Sequence, residues 1–297
     1  MIEVEGKGGI RVKVLADSIA NDVRLTTMQL RYPRFILAEL NTHRMFSRSS
    51  ASSRAIPIKK IMAQVQDDPA HPAHWGKNQP GMQAREELDD DTKLRAIQQW
   101  RFARIDPLNR AEALAGLGLA KQVVNRLLEP WQYAHTVVSA TEWGNFFHLR
   151  LHEDAQPEMY ELAKAMAEAM ERNNCIQHLR PGQWHLPYVS HAEEQELGAG
   201  TAIRCSVARC ARVSFKNHDQ SDPDPAKDVE LANKLLAAGH WSPWEHAATP
   251  VARLQADVAQ GALVLERGTT HMDRHMHQWS GNFCGWVQAR HLFGEKT

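Results

Sequence analysis

The sequence predicts an α+β chain, and three observations carry that reading. Residues 24–32, "RLTTMQLRY", put Thr26, Met28, Leu30 and Tyr32 on alternate positions, the two-residue period of a half-buried strand. Other segments repeat at helical spacing, among them Ile36, Leu37 and Leu40, then Trp143, Phe146, Phe147 and Leu149, then Met159, Leu162, Met166 and Met170. The 297 residues are 43% hydrophobic and 24% charged, enough apolar material for a substantial core and too little charge for a disordered chain.

Taken in order, the strand at 24–32 leads to Pro33, which suits the first turn of a helix. That helix, "RFILAEL", should end near His43 and Arg44, beside a serine-rich loop. Residues 56–95, with "DDPAHPAHWGKNQPG" and "EELDDD", read as an extended surface excursion, a candidate lid. Helical patterning resumes near 92 and again at 118–129, where Val123, Val124, Leu127 and Leu128 should share a face until Pro130 stops the helix. "HTVVSA" suggests a short buried segment. Asp154 and Pro157 mark the start of the methionine-striped helix, whose stripe belongs to the core. "VARCARVSF", 207–215, fits either a strand or a short helix, and "DQSDPDPAKD" a turn-rich loop or linker. "DVELANKLLAAGH" is an amphipathic helix with Gly239 as its C-terminal cap. In "SPWEH", Ser242 can cap a helix, Pro243 take its first turn and Glu245 close a capping box.

Composition excludes some classes. Lys plus Arg number 35, as do Asp plus Glu, which argues against a protein that wraps a nucleic-acid duplex and leaves room only for local basic pockets. No apolar run approaches membrane-spanning length, and "MIEVEGKGGIRVKV" has no signal-peptide core. The four cysteines, Cys175, Cys205, Cys210 and Cys284, form no CxxC pair and read as reduced thiols of a cytoplasmic protein. There is no GxGxxG, no P-loop and no GxSxG, so dinucleotide-fold, P-loop and serine-hydrolase chemistry have no support.

Four segments can carry chemistry. "THRMFSRSSASSR", 42–54, gathers one His, three Arg and five Ser, groups that match the geometry of oxyanions; composition alone favours a solvated loop instead. Arg150 either pairs with Asp154 one turn on or points into a pocket lined by its own helix. "SPWEH" is explained by capping, and equally offers an exposed helix N-terminus to phosphate. His271, His275 and His277 have loose metal-ligand spacing but no HExxH context, and no metal site is expected.

Together these pieces resemble one family. "THRMFSRSSASSR" resembles the signature of the flavin-dependent thymidylate synthases, Arg-His-Arg, two residues, Ser, one residue, Asn-Glu, one residue, Ser, one residue, Arg. His43, Arg44, Ser47, Ser52 and Arg54 fall in register, while Thr42, Ser49 and Ser50 replace the first Arg, the Asn and the Glu. "CARVSF", "GHWSPWEH" and "EWGNFFHLR" are similar to three further blocks of that family. The block order differs: signature and Asn/Arg helix come first here and the other two follow, which looks like a circular permutation of one domain over 1–297. Its parts would be a signature segment at 20–55, a helical Asn/Arg segment at 118–172, a segment at 200–250 matching the family's N-terminal part, and a tail at 251–297.

The resemblance implies a sheet flanked by helices in a homotetramer with FAD sites shared between subunits. It implies transfer of the methylene of 5,10-methylenetetrahydrofolate to C5 of dUMP, with NADPH as reductant of the flavin and no cysteine nucleophile. By the same resemblance His43, Arg44, Asn145, Ser214, His240, Ser242 and Glu245 would bind flavin. Ser47, Ser50, Ser52 and Arg54 would line the nucleotide, with Ser52 and Arg54 on its phosphate and Arg126 as a further phosphate candidate. Arg150 would bind the pyrimidine edge and act in catalysis. Loss of the Glu at Ser50 opens two alternatives: methylation or hydroxymethylation of another pyrimidine nucleotide such as dCMP, or a non-catalytic nucleotide- or flavin-binding protein. Gln278, Trp279, Asn282 and Arg290 of the tail are candidates to compensate for the lost contacts.

Overall fold

The structure is a computed structural model of the chain and describes residues 2–81, 84–217, 220–252 and 265–294. Parts of the 56–95 excursion, of the linker starting at 219 and of the 251–297 tail therefore lie outside the described residues. The fold is α+β. Its centre is a sheet built from β1 (Glu3–Glu5), β2 (Arg11–Ala20), β3 (Val23–Pro33), β4 (Ser47–Ser50) and β5 (Tyr133–Ala140), antiparallel in the order β1-β2-β3-β5-β4, with β6 (Gln177–His178) parallel to β2. The expected alternation holds in β3 only from Met28 to Tyr32, since Leu25, Thr26 and Thr27 are all buried, and "HTVVSA" becomes part of an inner strand, β5. Both strands are buried on both faces through their middles, as apolar and β-branched side chains favour.

Helices cover one face. Between β3 and β4 lies a single 3₁₀ turn, Arg34–Ile36, and the four-residue α1 (Leu37–Leu40), so Pro33 ends the strand instead of entering the helix. α6 (Gly144–Arg150) follows β5, and α7 (Pro157–Arg172) lays Met159, Leu162 and Met166 against Val12, Met28, Leu30 and Val138. α7 is capped by Gln156, whose side chain accepts from the Met159 amide at 2.9 Å.

The excursion is more regular than its composition suggests. α2 (Ile58–Asp67) buries Ile61 and Val65, and α3 (Asp90–Phe102) and α4 (Ile105–Gly116) follow an extended stretch. These pack with α5 (Lys121–Val124) and a 3₁₀ segment, Asn125–Trp131, around Val124, Leu128 and Trp131. The expected helix over 118–129 is thus one α turn that tightens to 3₁₀ and carries Pro130 within it. Val123 and Leu127 are exposed and do not share the buried face of Val124 and Leu128.

The C-terminal half covers the second face of the sheet. α8 (His191–Leu197), α9 (Ala199–Arg212) and α10 (Pro225–Ala237) pack around Leu186, Ile203, Val207 and Trp244. "VARCARVSF" is therefore the end of a 14-residue helix, and the expected linker supplies the start of α10, capped by Asp224. Gly239, at φ +70°, closes α10: its amide reaches the Leu236 carbonyl and the next amide, of His240, the Leu235 carbonyl. Short strands β7 (Ala248–Pro250), β8 (His271–Met272), β9 (Gln278–Ser280), β10 (Phe283–Cys284) and β11 (Trp286–Gln288) form two small antiparallel sheets, and α11 (Ala289–Phe293) follows.

Candidate active site

The signature segment is not a loop. Residues 47–50 are the edge strand β4, paired in register with 136–139 of β5. A strand sends alternate side chains to opposite faces, so the polar run divides into two sets. Arg48 and Ser50 face α1 and α6. Ser47 and Ser49 face the C-terminal half.

On the first face, Arg48 Nη1 donates to the carbonyls of Leu40 (3.1 Å), Asn41 (3.0 Å) and His43 (2.8 Å). It satisfies the open carbonyl end of α1 and fixes the turn that carries His43. Phe46, buried, stacks that turn on Trp143 and Phe146. The His43 ring stands edge-on to Phe146, 4.8 Å between centroids, and its Nε2 accepts from Arg150 Nε at 2.9 Å. An imidazole accepting through Nε2 is neutral. Burial first, then the charges of Arg150 and Arg48, push the His43 pKa down to about 4. Arg150 thus makes no pair with Asp154, which binds Arg85 at 2.6 Å; its guanidinium lines a cavity of about 1640 Å³ between α1, the start of α7 and the excursion. Ser50 Oγ is spent on Thr136 Oγ1 at 2.9 Å.

On the second face, Ser47 is buried and saturated: Oγ donates to Asn282 Oδ1 at 3.0 Å and accepts from Gln288 Nε2 at 3.0 Å. Gln288 also reaches the Glu245 carbonyl at 3.2 Å, and Asn282 the Met45 carbonyl at 2.9 Å. Glu245 Oε1 is ion-paired with Arg290. Ser49 begins a fully internal chain. Its Oγ meets His246 Nε2 at 3.0 Å, and His246 Nδ1 meets Ser139 Oγ at 2.8 Å. Ser139 meets Thr27 at 2.5 Å, Thr27 meets His185 Nε2 at 2.8 Å, and His185 Nδ1 meets Ser18 at 2.9 Å. Burial pushes both histidines down to about 3. One proton per imidazole also lets the chain run in a single donor direction; a second would make a ring donate at both ends.

Of the residues singled out from sequence, His43, Arg150, Ser47 and Glu245 gather around the near end of β4, where Glu245 lies close enough to Arg48 to act on its charge. Asn145 is exposed on the first turn of α6, and Arg44 is exposed beside His43. Ser52 and Arg54 lie beyond the far end of β4 in a separate hollow of about 580 Å³, with Lys121 as a second cation and no carboxylate in the lining. The two cavities share no lining residue. Arg126 is exposed, 3.9 Å from Glu129. Ser214 is half-buried past α9, and His240 and Ser242 are exposed. Ser242 begins a four-residue 3₁₀ turn without capping it, and Glu245 closes no capping box because it is committed to Arg290. In the tail, Asn282 and Arg290 join the site, while Gln278 accepts from the Glu266 amide and Trp279 donates to Asp273. His271 stacks on Trp279 and His277 bonds Asp273.

Sequence reasoning passed over Lys121, His246, His185 and Gln288. Only His246 left a signal there, as the last residue of the block "GHWSPWEH".

The model of the family described as thymidylate synthase complementing protein matches residues 17–173. The chain belongs to this family. The matched span runs from β2 to the end of α7 and contains the signature, His43 and Arg150. Membership carries methyl transfer to a pyrimidine nucleotide as its class of activity. No curated protein matches the chain. Among solved structures it is similar to a UMP/dUMP methylase PolB from Streptomyces cacaoi bound with 5-Br UMP, at 13% identity and a TM-score of 0.46 over 57% of this chain and 92% of that one. The same enzyme bound with 5-Br dUMP gives 13% identity and a TM-score of 0.43 over 57% and 93%.

Proposed function

We propose that this family member transfers a one-carbon unit from 5,10-methylenetetrahydrofolate to C5 of a pyrimidine deoxynucleotide, in the simplest case dUMP to dTMP, with FAD as cofactor and NADPH as reductant. The observation that carries the reading is the Arg150–His43 pair: a guanidinium oriented through Nε by a neutral imidazole, at the wall of a cavity of about 1640 Å³. A positive group held there can stabilise the charge that builds on the pyrimidine as C5 attacks, at no cost of reorganisation. Ser52, Arg54 and Lys121 suit the nucleotide phosphate, since their hollow offers two cations and a hydroxyl and no competing acid.

The donor chemistry also suits flavin. The side chains of Arg44, Asn145, Ser214, His240 and Ser242 have no hydrogen-bond partner among the described residues, so they are available to a pyrophosphate and to ring heteroatoms. Together with His43 and Glu245 they would hold the cofactor, which when bound supplies hydride. Their spread around both ends of β4 is what a homotetramer with shared sites would need. A permuted order of the family's blocks accounts for the packing of 200–250 on the matched half, where His246 bonds Ser49 and Gln29 Nε2 donates to the Val213 carbonyl at 3.1 Å.

Incubation with methylenetetrahydrofolate, FAD, NADPH and either dUMP or dCMP, followed by mass analysis, tests the reading. A gain of one methyl on dUMP supports it, a methyl or hydroxymethyl on dCMP moves the assignment to that nucleotide, and no product from either sinks it.

A further inference from the structure

Away from the Arg150 cavity, three side chains carry buried hydrogen-bond donors without a partner among the described residues, Trp244, Arg212 and Tyr188, and the last two are neighbours at the end of α9. Arg212 ends α9, and only Nη1 is used, on Asp228 Oδ1 at 2.6 Å. Its Nε and Nη2 are buried and without a partner, although the side chain is only 11% exposed. The Tyr188 hydroxyl is likewise buried and without a partner. Tyr188 packs with Val137, Cys210, Val213 and Ala51, just past the end of β4, and Arg212 is near enough for its charge to pull on the phenol.

Such groups are costly to leave unmet. A buried donor without an acceptor loses its water and gains nothing, and native folds rarely tolerate one, let alone three atoms together. The carboxylates nearby do not relieve this one. Glu193 is taken by two N–H groups of Arg209, and Asp228 is divided between Arg209 and Arg212. The two arginines and two carboxylates balance in charge, but Arg212 keeps unanswered N–H donors on its Nε/Nη2 edge, the edge that fits two oxygens of one anion side by side. The backbone is held in unfavourable conformations on both sides: Tyr188 at φ +65° and Val213, β-branched, at φ +56°.

We propose that Arg212 and Tyr188 form a receptor for one oxyanion, phosphoryl or carboxylate, of a small ligand, with the guanidinium edge and the phenolic hydroxyl converging on it. The site uses neither Arg150 nor the Ser52–Arg54 hollow; because Ser214 of the proposed flavin set lies two residues from Arg212, a response to phosphate, dUMP or methylenetetrahydrofolate is what separates it from the proposed reaction.

The test is thermal unfolding and equilibrium binding of the wild-type chain, Tyr188→Phe and Arg212→Gln. Each is measured alone and with inorganic phosphate, dUMP, FAD or methylenetetrahydrofolate singly. Without ligand, Tyr188→Phe should be at least as stable as wild type, because the lost hydroxyl has no partner. With the ligand that fits, the wild-type melting temperature should rise, and affinity should fall about tenfold in Arg212→Gln and several-fold in Tyr188→Phe. A response to phosphate, dUMP or FAD identifies a phosphoryl group, and one confined to methylenetetrahydrofolate a carboxylate. Arg150→Ala should keep the response while losing turnover. Responses to every ligand that are the same in all three proteins would mean the donors hold water only and would overturn the proposal, as would a Tyr188→Phe protein less stable than wild type without ligand.

Discussion

Acid should loosen this fold through two particular histidines. His185 and His246 lie wholly inside the hydrogen-bonded chain from Ser18 to Ser49, and burial pushes both down to about 3 from an ordinary value of 6.5. Above that ordinary value the rings are neutral whether the chain is folded or not, and they contribute no pH dependence. Below it the unfolded chain takes up protons that the folded chain refuses, so stability is lost as pH falls from 6.5 towards 3. At pH 5, about 1.5 units below the ordinary value, each ring favours the unfolded state by about 2 kcal/mol. The pair together reaches about 4 kcal/mol, a large share of the 5–15 kcal/mol that holds an ordinary domain together. His43 and His135, both lowered to about 4, act in the same direction, so the substitutions must isolate the relay. Urea unfolding at about pH 8 and about pH 5 should show His246→Gln and His185→Gln each losing about 2 kcal/mol less between the two conditions than wild type does. The absolute stability of either variant is not the readout, since glutamine also disturbs the relay; the difference between the two pH values is. Variants that lose as much as wild type would refute the claim that these rings are neutral and sealed from water.

Other consequences are sharper locally. Arg150→Ala should lower nucleotide turnover at least about a hundredfold with the fold intact by circular dichroism, and Arg150→Lys should not rescue it, because an ammonium cannot bond His43 through Nε while presenting a planar fork to the cavity. Ser47→Ala should cost about 1–3 kcal/mol in chemical unfolding, because Gln288 and Asn282 lose a buried partner. Gly9→Ala should destabilise by more than about 2 kcal/mol: Gly9 sits at φ +72°, and a Cβ there would run into the Tyr133 hydroxyl. Tyr133→Phe in that background should restore only part of the loss, since the backbone conformation stays unfavourable.

Where burial is one-sided or periodic, the sequence made the structure legible. β3 and α7 were readable because Met28 and Leu30, or Met159, Leu162 and Met166, repeat at the period of their element. α9 was ambiguous for the opposite reason: from Cys205 to Cys210 every residue is buried, so no polar face marks a period. β4 has the sequence of a loop because serine and arginine have little strand propensity, and what makes it a strand is tertiary: its pairing with β5, and the partners His246, Gln288 and Asn282 some 200 residues away. For Arg150 the sequence leaves two alternatives open, pairing with Asp154 or facing a pocket. His43 decides between them, and no local rule connects residues 43 and 150.

That division of β4 also explains why a polar, cationic run follows the apolar "RFILAEL". Arg48 ties down the end of α1, and Ser47 and Ser49 brace the strand from the other side, so half of the run is scaffold. The three positions that depart from the family signature all belong to this half. Thr42 Oγ1 donates to the Glu39 carbonyl at 2.7 Å, Ser49 holds His246, and Ser50 holds Thr136. The hydroxyl residues at these three places are short and bond at once to the fold. Ser49 and Ser50 thus stiffen the edge strand, and Thr42 the turn after α1. His43, Arg44, Ser52 and Arg54, which keep the signature, are the ones with reach left to use. Arg290 and Glu245, paired beside the buried Gln288–Ser47 contact, are charged groups that the C-terminal half brings to that edge among the described residues.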